Sequence, residues 1–167
     1  MDGIGLVIET GALGHVTRLV SGLGDFERRD LLSSIGALGE SQTRRRILNE
    51  GPGPDGQHWM PNRERTAALV RTGQHLLASI SWIERTDAVE WGAAWEFAHI
   101  HQDGATITPK SAKSLAFMSG GAMRFAKKVT IPARPFVGLS IDDIAEIEEL
   151  VSDFFGGAFD APVPVAP

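Results

Sequence analysis

Apolar and polar positions change rhythm several times along this 167-residue chain. Leu31, Leu32, Ile35 and Leu38 are spaced as one face of an α-helix, which predicts a helix over roughly Phe26 to Asn49. Gly24-Asp25 precedes it, with Asp25 placed to act as N-cap. Extending the same face reaches Gln42, Arg45 and Arg46, not more aliphatics. The first half of this helix should therefore pack on the core, while the second half projects or meets a polar partner. Upstream, Leu6 to Glu9 reads as a short strand, and Leu13, Val16, Leu19 and Val20 mark a weaker helix after Thr10.

The clearest element lies near the other end. Ile144, Ile147, Val151 and Phe154 recur at helical spacing. Ser140 stands as N-cap, Asp143 three residues later makes an acidic variant of the capping box, and Gly156-Gly157 ends the helix. Between these helices the periods shorten. Gly51-Pro52-Gly53-Pro54-Asp55-Gly56 reads as loop, with Trp59 beside it placed to cover a helix end. Arg63 to Ile80 reads as two short helical pieces broken at Gly73.

Ser81–Arg85 and Ala88–Gly92 alternate as a hairpin about Thr86-Asp87, with Trp82, Val89 and Trp91 on one face. Ala94 to Gln102 reads as a helical turn stopped by Asp103-Gly104. Strands near Ala105–Ile107, Leu115–Met118 and Val129–Ile131 would complete a small sheet, with Ser119-Gly120-Gly121 as a loop between them.

Ile131-Pro132-Ala133-Arg134-Pro135-Phe136-Val137-Gly138-Leu139-Ser140 belongs to neither rhythm. Its prolines fix their own φ angles and push Ile131 and Arg134 out of the α region, giving a stiff extended strap. Arg134 sits between prolines, with Phe136 as an apolar anchor. Two roles are open for this pair: docking on a neighbouring subunit, or Phe136 plugging its own core while Arg134 pairs with the acidic helix that follows.

The predicted class is α+β: a small, mostly antiparallel sheet packed against two or three helices, with a long N-terminal helix and a C-terminal helix. Residues 1–157 read as a single domain and 158–167 as a disordered Pro/Val tail. With no cysteine, disulfides, thiol nucleophiles and cysteine zinc sites are excluded, which fits a reducing compartment. The apolar runs are too short for a membrane span, so no membrane partner is expected. The first residues, which carry acids and no basic cluster, do not read as a signal peptide.

A net charge of −5 weighs against a dedicated nucleic-acid binder. The charge is unevenly spread. Lys110, Lys113, Arg124, Lys127, Lys128 and Arg134 make the stretch 110–134 basic, whereas Asp142 to Asp160 holds acids and no base. Such a chain can pair with copies of itself, basic patch to acidic patch.

Candidate chemistry is sparse. His99 and His101 would share a face on a strand and could ligate a metal there, with His58 or His75 as a third ligand. The segment reads better as helix, which splays the two rings apart. Arg44, Arg45 and Arg46 could contact phosphates, with Trp59 as a stacking platform, or could sit as cations at a helix C-terminus. No serine has a nucleophile-elbow context, and no glycine loop of a phosphate-cradling type is present. No cofactor is predicted.

Four segments, in order, carry a resemblance. They are Thr43-Arg44-Arg45-Arg46 before Pro54-Asp55-Gly56-Gln57-His58-Trp59-Met60-Pro61; Leu69-Val70-Arg71-Thr72-Gly73-Gln74-His75-Leu76-Leu77-Ala78-Ser79-Ile80; Phe97-Ala98-His99-Ile100-His101-Gln102-Asp103-Gly104; and the strap entered from Val129-Thr130. From about Phe26 to Phe155 the chain resembles the virion morphogenesis (tail completion) family of Mu-like contractile-tailed phages and prophages. Phe97 stands where tyrosine is common, and Asp103 where an apolar or aromatic residue is usual.

The resemblance implies a structural protein without catalytic residues, added at the end of a tail tube or at the head–tail junction. It further implies a ring of copies, a hexamer in the virion, touching tail tube or connector proteins. The location would be the virion tail or neck, and the host cytoplasm during assembly. Trp59, Thr72, Gly73, His101, Gln102, Pro132, Arg134, Pro135 and Phe136 are the family-motif residues with a possible interface role. The alternatives are a nucleic-acid-contacting assembly factor using Arg44 to Arg46 and the loop lysines, and a metal hydrolase built on His99 and His101.

Overall fold

The computed structural model describes residues 4–9, 23–62, 67–70, 74–86 and 88–156. The elements run β1 (Ile4–Glu9), α1 (Asp25–Leu48), α2 (Gln74–Ser79), β2 (Ile80–Glu84), β3 (Ala88–Ala93), α3 (Ala98–Asp103), β4 (Ala105–Ile107), β5 (Leu115–Ser119), β6 (Ala122–Ala126), β7 (Val129–Ile131) and α4 (Ile141–Phe154). The architecture is α+β: small antiparallel sheets, a long helix near the N-terminus and a C-terminal helix. The weak helix read through Leu13 to Val20, Thr72, Gly73 and the 158–167 tail lie outside the described residues.

The largest sheet has the order β1-β3-β2, antiparallel throughout, so β3 is central. Its alternation puts Val89, Trp91 and Ala93 on the buried side. Trp82 lies opposite Trp91 in the register, as the hairpin reading requires. Against this face packs the apolar stripe of α1. Leu31, Leu32 and Ile35 join Val89 and Trp91, and Ile147 and Val151 of α4 close the same cluster. A second cluster, built from Ile47, Leu76, Ile80, Ala98, Phe136 and Val137 among others, continues from Ala93.

Several boundaries differ from expectation. Gly24, not Asp25, is the N-cap of α1. Its backbone N–H is held by the Glu27 carboxylate at 3.0 Å, so the acidic first turn does what a capping side chain would. Ile80 opens β2 instead of closing a helix. The three strands predicted between Ala105 and Ile131 do not complete one sheet. β4 pairs with β7, and β5 pairs with β6, a strand absent from the expectation. Gly120 and Gly121, both at positive φ, make the two-residue turn that lets β6 fold back on β5.

Two glycines inside α1 set its distance from the sheet. A Cβ at Gly36 would lie 2.6 Å from Val89 Cγ2, and one at Gly39 would lie 2.4 Å from the indole of Trp91. Trp91 is 1% exposed, so its ring has nowhere to retreat. Gly39→Ala gains about 1 kcal/mol in helix propensity but overpacks a closed site. It should lower unfolding stability by ~1–3 kcal/mol, read as a lower urea midpoint at unchanged slope.

Candidate functional site

Past its apolar stripe, α1 presents Gln42, Thr43 and Arg46 to the interior, each less than a tenth exposed. The polar partner that the sequence demands is the start of α4. Arg46 donates from one terminal nitrogen to the carbonyls of Phe136, at 2.8 Å, and Gly138, at 3.2 Å. Its other terminal nitrogen pairs with Asp143 Oδ2, both side chains being 7% exposed. That oxygen also accepts from Ser140 N at 2.7 Å and Ser140 Oγ at 2.6 Å, while Ser140 Oγ accepts from Asp143 N. The predicted capping box is therefore present, and its acid doubles as the counter-ion of a buried arginine.

Gln42 Nε2 extends this seam, donating to the Asp143 carbonyl at 3.1 Å and to Glu146 at 2.9 Å. Arg45 spans both Glu146 oxygens at 2.7 and 2.8 Å. The bond from Arg45, then that from Gln42, holds the Glu146 carboxyl below its ordinary value, and Glu146 raises Arg45 in turn. Arg44 turns the other way. It pairs with Glu40 and donates to the carbonyls of Leu77, at 2.7 Å, and Ile80, at 2.8 Å, closing the end of α2. All three arginines are thus engaged within the chain. Between the Gly51–Gly56 loop and the start of α4, the seam opens into a cleft of about 750 Å³.

The strap lies across the far side of this seam. Gln102 of α3 accepts from Phe136 N and Val137 N through Oε1, at 3.0 and 3.1 Å, and donates to the Val137 carbonyl at 3.0 Å. Trp59 Nε1 donates to the Pro135 carbonyl at 3.1 Å. Arg134 N donates to the His101 carbonyl at 2.7 Å, and Arg134 Nε donates to the Met60 carbonyl at 3.0 Å. Pro132 follows β7 directly and is half-buried. Gly104, at φ 74°, sits where a Cβ would lie 2.7 Å from Ala133 N.

Within one copy these contacts hold the strap's two prominent side chains: Phe136 is 0% exposed and Arg134 is 4% exposed. The strap's own hydrogen bonds turn it toward α3 and Trp59. In the acidic helix that follows, Asp143 and Glu146 are held by Arg46 and Arg45. Burial keeps the Arg134 guanidinium below its ordinary pKa.

His99 and His101 lie on α3, two residues apart, so their side chains diverge by roughly 200° around the helix. His99 is exposed and His101 half-buried. Trp95 stacks with His101 at 5.8 Å and with His75 at 6.3 Å, an aromatic arrangement in place of a ligand set. Among the described residues, no group of three or more His, Cys, Asp or Glu could hold a metal ion. No helix among them is long and apolar enough to cross a membrane.

The motif residues Trp59, His101, Gln102, Pro132, Arg134, Pro135 and Phe136 thus gather around one structural feature, and Arg46 ties that feature to α1 and α4. The family model for phage virion morphogenesis matches residues 11–155, most of the chain. The chain belongs to the phage virion morphogenesis family. No curated protein matches it. No solved structure matches it either. For a phage virion morphogenesis protein the locked seam is a framework: it fixes the strap and both long helices as one body.

The stacking of Trp95 between His75 and His101 and the outward face of β5 and β6 are not visible in the helical and strand periods of the sequence. The alternation of Ala116, Met118, Met123 and Phe125 around Gly120-Gly121 was the available signal for the hairpin itself.

Removing one member of the buried pair leaves an uncompensated charge. Arg46→Met or Asp143→Asn should each cost about 3–5 kcal/mol, and the double variant Arg46→Met/Asp143→Leu should recover much of it. Denaturant titration of the three proteins checks this. Desolvation, and then the charge of Arg134, hold the His101 imidazole below its ordinary value of 6.5. The unfolded chain then binds the proton more readily, so stability is fully present above that value and falls as the pH drops below it. Melting temperatures across this window should decline toward acid, and His101→Gln should flatten the decline.

Proposed function

We propose that this chain is a tail completion or head–tail joining component that works as a ring of its own copies in the virion neck. The match of the virion morphogenesis family over residues 11–155 carries this reading. The internal geometry supports it. Arginines that could have met phosphates are engaged within the chain instead: Arg44 closes a helix end, Arg46 holds the strap and the capping-box acid, and Arg45 pairs with Glu146. That suits a subunit whose task is to hold shape under load, without catalysis. Its neighbours would be the tail tube or connector proteins, and six copies would match the sixfold axis of a contractile tail.

Deleting the gene from an inducible prophage that carries it should yield filled heads and separate tails, visible by negative-stain microscopy, with infectious titre restored by the gene supplied in trans. Normal joined particles from the deletion strain would refute the role.

A further inference from the structure

Between Gly104 and Ile141 the chain contains no Asp or Glu. Lys110, Lys113, Arg124, Lys127 and Lys128 in this stretch are all exposed. In its middle stands the β5–β6 hairpin, where Ala116 lies opposite Phe125 and Met118 opposite Met123. Opposed residues share a face of a sheet, so these four side chains line one side. Phe125 is 70% exposed, Met118 59% and Met123 56%. The other side carries Leu115, Phe117, Ser119 and Ala126, each partly buried, together with Ala122 and Arg124, which are exposed. The apolar side of the hairpin is thus the more exposed of the two and is offered to solvent. A two-stranded ribbon is marginal without something packed on it, and a contiguous apolar face rimmed by charge marks an interaction surface.

The same chain carries a matching surface. Ile141 is 86% exposed, and Ala145, Glu148 and Glu149 follow it at helical spacing on the outward side of α4. Asp142 is exposed beside Ile141, and no cation occurs anywhere in α4. The inward side of α4 is committed to the core through Ile147 and Val151, so this stripe is left for a partner.

We propose that the apolar face of the β5–β6 hairpin on one copy docks on the Ile141–Glu149 stripe of α4 on the next. Met118, Met123 and Phe125 meet Ile141 and Ala145. Lys127 and Lys128, at the base of the hairpin, meet Asp142, Glu148 and Glu149. The inference rests on the reading of the chain as a ring-forming virion component, and it supplies the contact that reading lacks. A second copy is favoured over nucleic acid by this complementarity and by the net charge of −5. Two different patches make the contact heterologous, so each bound copy keeps one unused patch and the chain of contacts can close.

Sedimentation velocity on the full chain tests this with two variants confined to exposed residues: Met123→Ser/Phe125→Ser and Glu148→Lys/Glu149→Lys. The native protein should self-associate, less so at high salt. Each variant should associate at least about tenfold more weakly, a change of ~1.4 kcal/mol. An equimolar mixture of the two should form 1:1 dimers and nothing larger, because one intact hairpin meets one intact stripe.

The proposal fails if the native protein stays monomeric up to millimolar concentration, if either variant assembles normally, or if the mixture stays monomeric. It also fails if the hairpin variant loses binding to single-stranded DNA or anionic vesicles while self-association is unchanged. The deletion experiment is independent: intact particles without the protein would remove the neck role, yet leave this contact standing.

Discussion

Arg46 and Asp143 are 97 residues apart in sequence, and both are sealed from water where they meet. Burying two charges is costly, and their attraction offsets the cost only when the remaining donors and lone pairs are also satisfied. Here they are. The guanidinium reaches two strap carbonyls, and the carboxylate takes the backbone and hydroxyl protons of Ser140. One ion pair thereby fixes the direction of the strap, the start of α4 and the far half of α1. The two apolar clusters, one centred on Trp91 and the other on Phe136, gain a common frame from it.

The long helix, the terminal helix and the β2–β3 hairpin were legible because a single period governs each. The second half of α1 was half-legible. The polar residues on an apolar face announced a polar partner, but nothing local could say that the partner was the capping acid of α4. The strap was legible as extended and stiff, since proline chemistry is local. Its orientation was not, because Phe136 as a core plug and Phe136 as an interface anchor look the same in sequence. β6 escaped notice because its apolar residues, Met123 and Phe125, alternate with Arg124 on a face that contributes nothing to the core. Gly120-Gly121 alone does not separate a loop from a two-residue turn, although two glycines suit a turn in which both residues take positive φ.

The molecule divides its charges into two classes. Around the seam, Arg44, Arg45 and Arg46 find their acids or carbonyls within the chain, and rigidity is the result. Around the hairpin and along the outer side of α4, charges of one sign are gathered without the other. In this member of the virion morphogenesis family, the interlocked interior and the surfaces of one-signed charge thus lie in different parts of the fold.

Gln102 has a consequence of its own. An extended segment with prolines at 132 and 135 has lost two backbone donors and cannot complete a regular ladder. The Gln102 amide instead takes the N–H groups of Phe136 and Val137 and gives its own proton to the Val137 carbonyl. One side chain thus imitates a missing strand. The prolines bar strand addition at two positions and Gln102 occupies the donors and the acceptor beyond them, so this stretch of backbone is closed to stray pairing.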